Sequence, residues 1–159
     1  MNDLLELLAY SRWANEKVVQ AISGLDTATY SKDVGSSFPS LRDTLVHIYG
    51  ADRTWLGRIG GAAPARANPN DYPNVKALWK EWDEVLMAWP KVVQNLGDVE
   101  AVIPYKAFDG TAYSSKLSDI VQHVVNHGTY HRGQITTMLR QLGEKVVSTD
   151  LIFYYRLKS

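Results

Sequence analysis

Residues 115–142 read SKLSDIVQHVVNHGTYHRGQITTMLRQL and form the longest uninterrupted helical pattern in the chain. Its apolar positions recur along one face, centred on Leu117, Val124, Gly128 and Ile135. Gly143 follows directly and is a typical helix stop. A helix over this range is roughly 40 Å long and buries only one face, so it needs other helices to pack against.

Three earlier stretches share this periodicity: residues 3–23, 40–61 and 74–96. Ser40 is a good N-cap for the second stretch, with Asp43 three residues further on. Residues 99–114 look extended instead, and Asp109-Gly110 within them is a typical hairpin turn. The chain therefore predicts an all-α four-helix bundle, with a short hairpin-like extended segment before the last long helix. No linker or repeat divides residues 1–159, so a single domain is expected.

Charge and composition narrow the classes of partner. The 17 basic and 17 acidic residues cancel and no Lys/Arg block occurs, which argues against a nucleic-acid partner. No window offers the roughly 18 consecutive apolar residues of a membrane span. Residues 1–8 carry Asp3 and Glu6 and lack a basic leader, so a cytoplasmic protein is expected. The absence of cysteine excludes disulfides, thiolate metal ligands and a cysteine nucleophile.

Three of the four histidines lie in the last helical stretch at intervals of four residues: His123, His127 and His131. Positions i and i+4 lie about one turn apart, so two imidazoles can reach one metal ion at about 2.0–2.1 Å. From the centre of the apolar face, His131 lies roughly 40°, His127 roughly 80° and His123 roughly 120° away. His47, on a flank of the second helix, is the remaining candidate for a third ligand. The spacing alone leaves open whether these histidines bind metal or only pack.

The segment 123–134, HVVNHGTYHRGQ, resembles the C-terminal signature of the DinB-like (DNA-damage-inducible) family of metal-binding four-helix bundles. Weaker similarity lies in YSRWAN at 10–15, LVHI at 45–48 and WLGR at 55–58, so the resemblance covers essentially the whole chain in order. It implies an up-down-down-up bundle, often dimeric, that binds one divalent metal. By position, the implied ligands are His47, His127 and His131, which leaves His123 as a neighbour.

The resemblance also implies a chemistry, because related proteins of the superfamily include thiol-dependent isomerases and S-transferases that use low-molecular-weight bacterial thiols. The leading hypothesis is a metal-dependent enzyme that activates an external thiol, which agrees with the absence of cysteine. Three histidines with an open fourth position are typical of a catalytic metal site. The expected cofactor is zinc or nickel, with iron or copper as alternatives. A non-catalytic metal-binding stress protein and a plain helical bundle are the competing hypotheses.

Polar residues near the predicted core supply candidates for a substrate pocket. Ser11 and Asn15 interrupt the apolar stripe of the first helix, so they either face a polar pocket or bond to the preceding turn. Tyr130 and Gln134 flank the histidines, and either could face a small-molecule substrate.

Two further features concern packing. Asp52 and Arg132 lie near the inward faces of their helices, which predicts an ion pair between them or, alternatively, a role beside the metal in orienting a ligand. Trp13 lies on the far side of the first helix from Asn15. It needs a partner outside the four-helix core, which predicts either a homodimer interface or packing beneath residues 151–155.

Overall fold

The structure is a computed structural model that describes residues 1–158. In chain order, its elements are α1 (Asn2–Ile22), the one-turn α2 (Thr27–Tyr30), α3 (Leu41–Ile59), a 3-10 turn (Pro69–Asp71), α4 (Val75–Leu96), β1 (Val102–Lys106), β2 (Ala112–Lys116), α5 (Leu117–Gln141) and the short α6 (Leu151–Arg156). The four long helices begin and end within two residues of the predicted bounds. Within residues 1–158, no helix combines the length and apolarity that crossing a membrane requires.

Local capping signals explain why the helix ends were predictable. The Ser40 hydroxyl accepts a hydrogen bond from the Asp43 N–H at 3.1 Å and so caps α3. Asn74 caps α4 in the same way, with its side-chain oxygen 3.0 Å from the Ala77 nitrogen. Gly97 ends α4 in the left-handed region at φ 70°, which glycine adopts without strain. Each of these signals acts within four residues and needs no tertiary context.

The core consists of two clusters along the bundle axis. The helix ends that meet in each cluster show in which direction each helix runs. One cluster joins the ends of α1 and α5 to the starts of α3 and α4, through residues such as Ile22, Ile135, Leu45 and Leu78. The other joins the starts of α1 and α5 to the ends of α3 and α4. The helices α1 and α5 therefore run one way and α3 and α4 run the other, which confirms the up-down-down-up bundle. Helix α5 packs between α1 and α3, so a groove lies on each side of it.

The predicted hairpin is confirmed before α5. Strands β1 and β2 pair antiparallel, with Tyr105 opposite Tyr113, and Asp109-Gly110 lies in the turn between them. The Tyr105 ring lies 4.8 Å from the Trp55 ring of α3, so the hairpin covers the end of that helix.

Trp13 finds its partner in the C-terminal segment of the same chain. Its ring lies 5.5 Å from the ring of Tyr154 in α6, which itself lies 5.9 Å from Tyr10 of α1. This contact removes the packing argument for a subunit interface at Trp13. The homodimer stays a prediction that rests on the family resemblance, and light scattering at micromolar concentration tests it.

The predicted ion pair between Asp52 and Arg132 is wrong. The salt bridges within residues 1–158 join other residues, and Asp52 accepts a hydrogen bond from the Trp82 indole N–H at 2.7 Å. The Arg132 guanidinium points the other way, toward α1, and donates to the Asn15 side-chain oxygen and the Thr129 hydroxyl, both at 2.8 Å. Both groups face the interior as predicted, but each hydrogen-bonds to a neutral partner on a different neighbouring helix, and their charges interact only without a direct contact.

Candidate metal centre

The structure brings His47, His127 and His131 together in the groove between α3 and α5. One ring nitrogen from each lies within 4.8 Å of the others, and Nε2 of His47 lies 2.9 Å from Nε2 of His127. The helices α3 and α5 are antiparallel neighbours, and His47 lies in the first half of α3 whereas His127 and His131 lie near the middle of α5. The three nitrogens are thus close enough for small side-chain movements to bring them around one ion at about 2.0–2.1 Å.

Burial along α5 follows the order that the helical wheel predicted. His131 is buried, His127 is half-buried and His123 is exposed. His123 nevertheless lies close to the cluster, with its ring 5.9 Å from the ring of His127 and 5.4 Å from that of Trp55. It belongs to the surroundings of the three-histidine cluster and contributes no nitrogen to it.

Gln134 orients one of the three imidazoles. Its side-chain oxygen lies 2.7 Å from Nδ1 of His131, and an amide oxygen can only accept, so Nδ1 carries the proton. The lone pair is then on Nε2, the nitrogen that is left for a metal. A hydrogen bond from the non-ligating nitrogen of a histidine to a neighbouring oxygen is the usual way in which proteins fix a metal ligand.

The environment keeps two of the histidines neutral. The pKa of His47 is lowered from 6.5 to about 4, mainly by burial and then by the charges of His131 and Arg66. Burial likewise lowers the pKa of His127 to about 3, together with the neighbouring histidines, His131 first. Neutral imidazole is the form that binds metal, so these two ligands are deprotonated at pH 7 without help from the ion.

The residues present fit a divalent transition metal. Three imidazole nitrogens with no carboxylate or thiolate among them match zinc, nickel, copper or iron better than magnesium or calcium. Nδ1 of His127 is buried and has no hydrogen-bond partner within residues 1–158. Nε2 of His127 faces Nε2 of His47, so Nε2 is the nitrogen available to a metal and Nδ1 is the one that would carry the proton.

A cavity of about 570 Å³ opens beside the histidines. His47, Trp55 and Arg58 of α3 line one side, and His123 and His127 of α5 line another. Loops and the hairpin turn close the cavity with Phe38, Arg66 and Phe108. Phe38 also stacks on His47 at 4.0 Å between ring centroids and meets the His131 ring edge-on at 5.6 Å. The ring of Phe38 therefore shields the cluster, while the cavity gives a small molecule access to His47 and His127.

None of the four predicted substrate contacts lines this cavity. Ser11 and Asn15 are buried on the α1 side of α5, where Asn15 binds Arg132. Gln134 binds His131, and Tyr130 is 64% exposed, with its ring 5.0 Å from the His131 ring. Asn15, which interrupts the apolar stripe of α1, therefore accepts a hydrogen bond from the buried Arg132. A contact of these four residues with a substrate stays a prediction.

Other residues line the cavity, and some of them carry a signal in the sequence. Ala51, Trp55 and Arg58 follow His47 at intervals of four, eight and eleven residues, which places all four on one face of α3. That stripe could have been found from the helical period. Phe38, Arg66 and Phe108 come from loops and a turn, where no period applies.

Known proteins resemble this chain over its full length. The sequence model of the DinB family matches residues 1–158. Protein DinB of Bacillus subtilis (strain 168) is 29% identical over an alignment of 157 positions, and the match covers 94% of this chain and 91% of that protein. The crystal structure of a DinB-like protein from Bacillus cereus ATCC 10987 superposes with a TM-score of 0.73 at 20% identity, over 93% of this chain and 96% of that chain. The superposition shows that the two proteins share a fold.

Proposed function

The chain belongs to the DinB family, and from this premise we propose that it is a divalent-metal-dependent enzyme of the thiol S-transferase or isomerase type. The observation that carries the proposal is the cluster of His47, His127 and His131 at the edge of a cavity large enough for a small molecule. A structural zinc site is usually closed by four protein ligands, whereas three histidines leave a position for a reactant. Zinc or nickel is the proposed metal, with iron or copper as alternatives.

An external thiol suits this site because the protein has no cysteine of its own. In a transfer reaction, R–SH and R′–X give R–S–R′, H⁺ and X⁻. The sulfur forms the new bond to carbon, X leaves with its electron pair, and the thiol proton passes to water. A divalent ion in the three-histidine site would lower the pKa of the thiol and so supply the thiolate.

The protein's own residues prepare the site for such a reaction. His47, His127 and His131 would hold the ion, and Gln134 fixes the tautomer of His131. Phe38 covers two of the three rings and excludes water from that side. A cytoplasmic location is part of this proposal, since reducing conditions keep a small thiol in its reactive form.

Two measurements test the proposal. Protein purified without an affinity tag is analysed for metal content, and the loaded protein is then assayed for conjugation of small thiols to a chlorodinitroarene, with and without chelator. A metal-dependent rate with at least one thiol is expected, and chelation should abolish it. Stoichiometric metal without any metal-dependent rate across a broad thiol panel would favour the non-catalytic metal-binding protein instead.

A further inference from the structure

Two arginines line the cavity without a partner for their charge. Arg58 lies on α3 and Arg66 on the connector to α4, and neither side chain forms an ion pair or donates a hydrogen bond within residues 1–158. Both guanidiniums lie against the ring of Phe108, at 5.4 Å and 4.3 Å from its centroid, so they are less than about 10 Å apart. Two like charges this close repel each other, and an anion between them would relieve that repulsion.

Aromatic rings surround the guanidinium of Arg58, which donates no hydrogen bond within residues 1–158. Its guanidinium lies 4.6 Å from the Trp55 ring and 5.2 Å from the Tyr105 ring, in addition to Phe108. Aromatic rings contact the flat faces of a guanidinium, whereas its N–H groups point outward in the plane. Nε of Arg58 is buried and has no acceptor within the described chain. Three aromatic rings therefore surround this guanidinium, and its buried Nε lacks an acceptor.

The one carboxylate on the cavity wall does not neutralise these charges. Asp43 lines the cavity, but its carboxylate accepts a hydrogen bond from Ser40 at the start of α3 and forms no ion pair with either arginine. With the histidines neutral, two positive charges and one negative charge face the cavity.

Gly57 explains how the connector brings Arg66 to this position. A Cβ at Gly57 would lie 2.5 Å from the Ala62 carbonyl oxygen and 2.7 Å from Cδ of Pro64. Only glycine allows the connector to pack so closely against α3. The WLGR stretch thus supplies a ring that lines the cavity (Trp55), the close approach of the connector (Gly57) and one of the two cations (Arg58).

We propose that Arg58 and Arg66 form an oxyanion subsite, so that the small molecule that reaches the three-histidine cluster carries a carboxylate or phosphate group. The planar edge of arginine matches both groups through paired N–H donors. The cavity also offers apolar surface for the rest of the molecule, between the histidine cluster and the two arginines. This surface is formed by Phe38, Trp55 and Phe108. The identification of this molecule as a substrate rests on the proposed function, but the anion subsite itself is testable without metal.

The test uses the full chain after chelator treatment and measures the binding of benzoate, phenyl phosphate and the neutral benzamide by calorimetry. Both anions should bind more tightly than benzamide, and added salt should weaken only the anions. Arg58→Gln and Arg66→Gln should each weaken anion binding at least tenfold. Arg53→Gln is the matched control, because Arg53 lies on the same helix but against Tyr49 and outside the cavity. If benzoate binds more tightly than phenyl phosphate, the subsite prefers a carboxylate, and the reverse order indicates a phosphate.

Equal binding of benzamide and the anions, or unchanged anion binding in both variants, would overturn the subsite. Arg66 is exposed, so Arg66→Gln tests the inference even where Arg58→Gln fails to fold. Metal content is measured on the same preparations. Anion binding without any metal uptake refutes the proposed function alone, whereas normal metal uptake without anion selectivity refutes the subsite alone.

Discussion

Nε2 of His47 lies 2.9 Å from Nε2 of His127, although 80 residues separate them in the chain. Two neutral imidazoles can meet at this distance as an N–H···N hydrogen bond, in which one Nε2 donates and the other accepts. When both rings carry the proton on Nδ1 instead, two Nε2 lone pairs face each other. A metal ion accepts both lone pairs at once, and His131 adds a third from the next turn of α5. The relationship between these two nitrogens therefore leads directly to a prediction about metal content.

Replacing His47, His127 or His131 by Ala should lower metal content and affinity severely, because each change removes one of three metal–nitrogen bonds. His123→Ala is the matched control on the same helix, and it should retain the metal. Circular dichroism should show all four variants folded, since the apolar faces of the helices form the core without the ion. Metal analysis of the purified variants decides the outcome. Loss of metal in His123→Ala with retention in His131→Ala would shift the ligand set by one helical turn.

Gln134→Leu should weaken metal affinity by about 10–100-fold while the three ligands remain in place. The change removes the acceptor for Nδ1 of His131, so the ring can rotate or adopt the other tautomer. Gln141→Leu, at the exposed end of the same helix, should leave affinity unchanged. Competition with a chromogenic chelator measures both. Equal affinities for the two variants would contradict an orienting role for Gln134.

The helices and two of the three proposed ligands could be predicted because their signals are local. Ser40, Asn74 and Gly97 fix helix ends within one turn. His127 and His131 share a helix, so their spacing alone places them together. His47 needed the resemblance, since no rule of periodicity relates a residue of α3 to one of α5.

Contacts between helices were harder to predict for a physical reason. A helical wheel shows that Asp52 and Arg132 point inward, but not which neighbour each one meets. The Asp52 carboxylate accepts a hydrogen bond from Trp82 of α4, and the Arg132 guanidinium donates one to Asn15 of α1. Phe38, Arg66 and Phe108 reach the cavity through loops and a turn whose course depends on tertiary packing, as the close approach at Gly57 shows.

The metal-free protein should lose stability from the two histidines as the pH falls from about 6.5 toward 4. In this range the unfolded imidazoles take up protons, whereas folded His47 and His127 stay neutral with pKa values of about 4 and about 3. Unfolding therefore binds protons, and lower pH favours the unfolded chain. Asp52 acts in the opposite direction, because burial raises its pKa to about 7 and its folded form binds the extra proton.

Urea unfolding in chelator, at about pH 7.5 and about pH 5, isolates the histidine contribution by comparison with the double variant His47→Gln/His127→Gln. Asp52 contributes equally to both proteins and cancels. Wild type should lose more free energy of unfolding between the two pH values than the double variant. Identical losses would mean that the two histidines titrate normally in the folded protein.

Gly128→Ala should lower the free energy of unfolding by about 1–3 kcal/mol, a cost typical of an overpacked core. The added methyl would lie 2.8 Å from Nη1 of Arg132, which lies over the helix at this point and donates to Asn15. Moving the guanidinium breaks that bond and leaves a buried charge short of acceptors.

Gly133→Ala is the matched control on α5, where the same methyl meets nothing within 4 Å. It should be neutral or stabilising by up to about 1 kcal/mol, because alanine favours a helix more than glycine does. Urea unfolding of the two variants side by side measures the difference, and a Gly128→Ala protein as stable as Gly133→Ala would show that the close approach of Arg132 to Gly128 does not hold in solution.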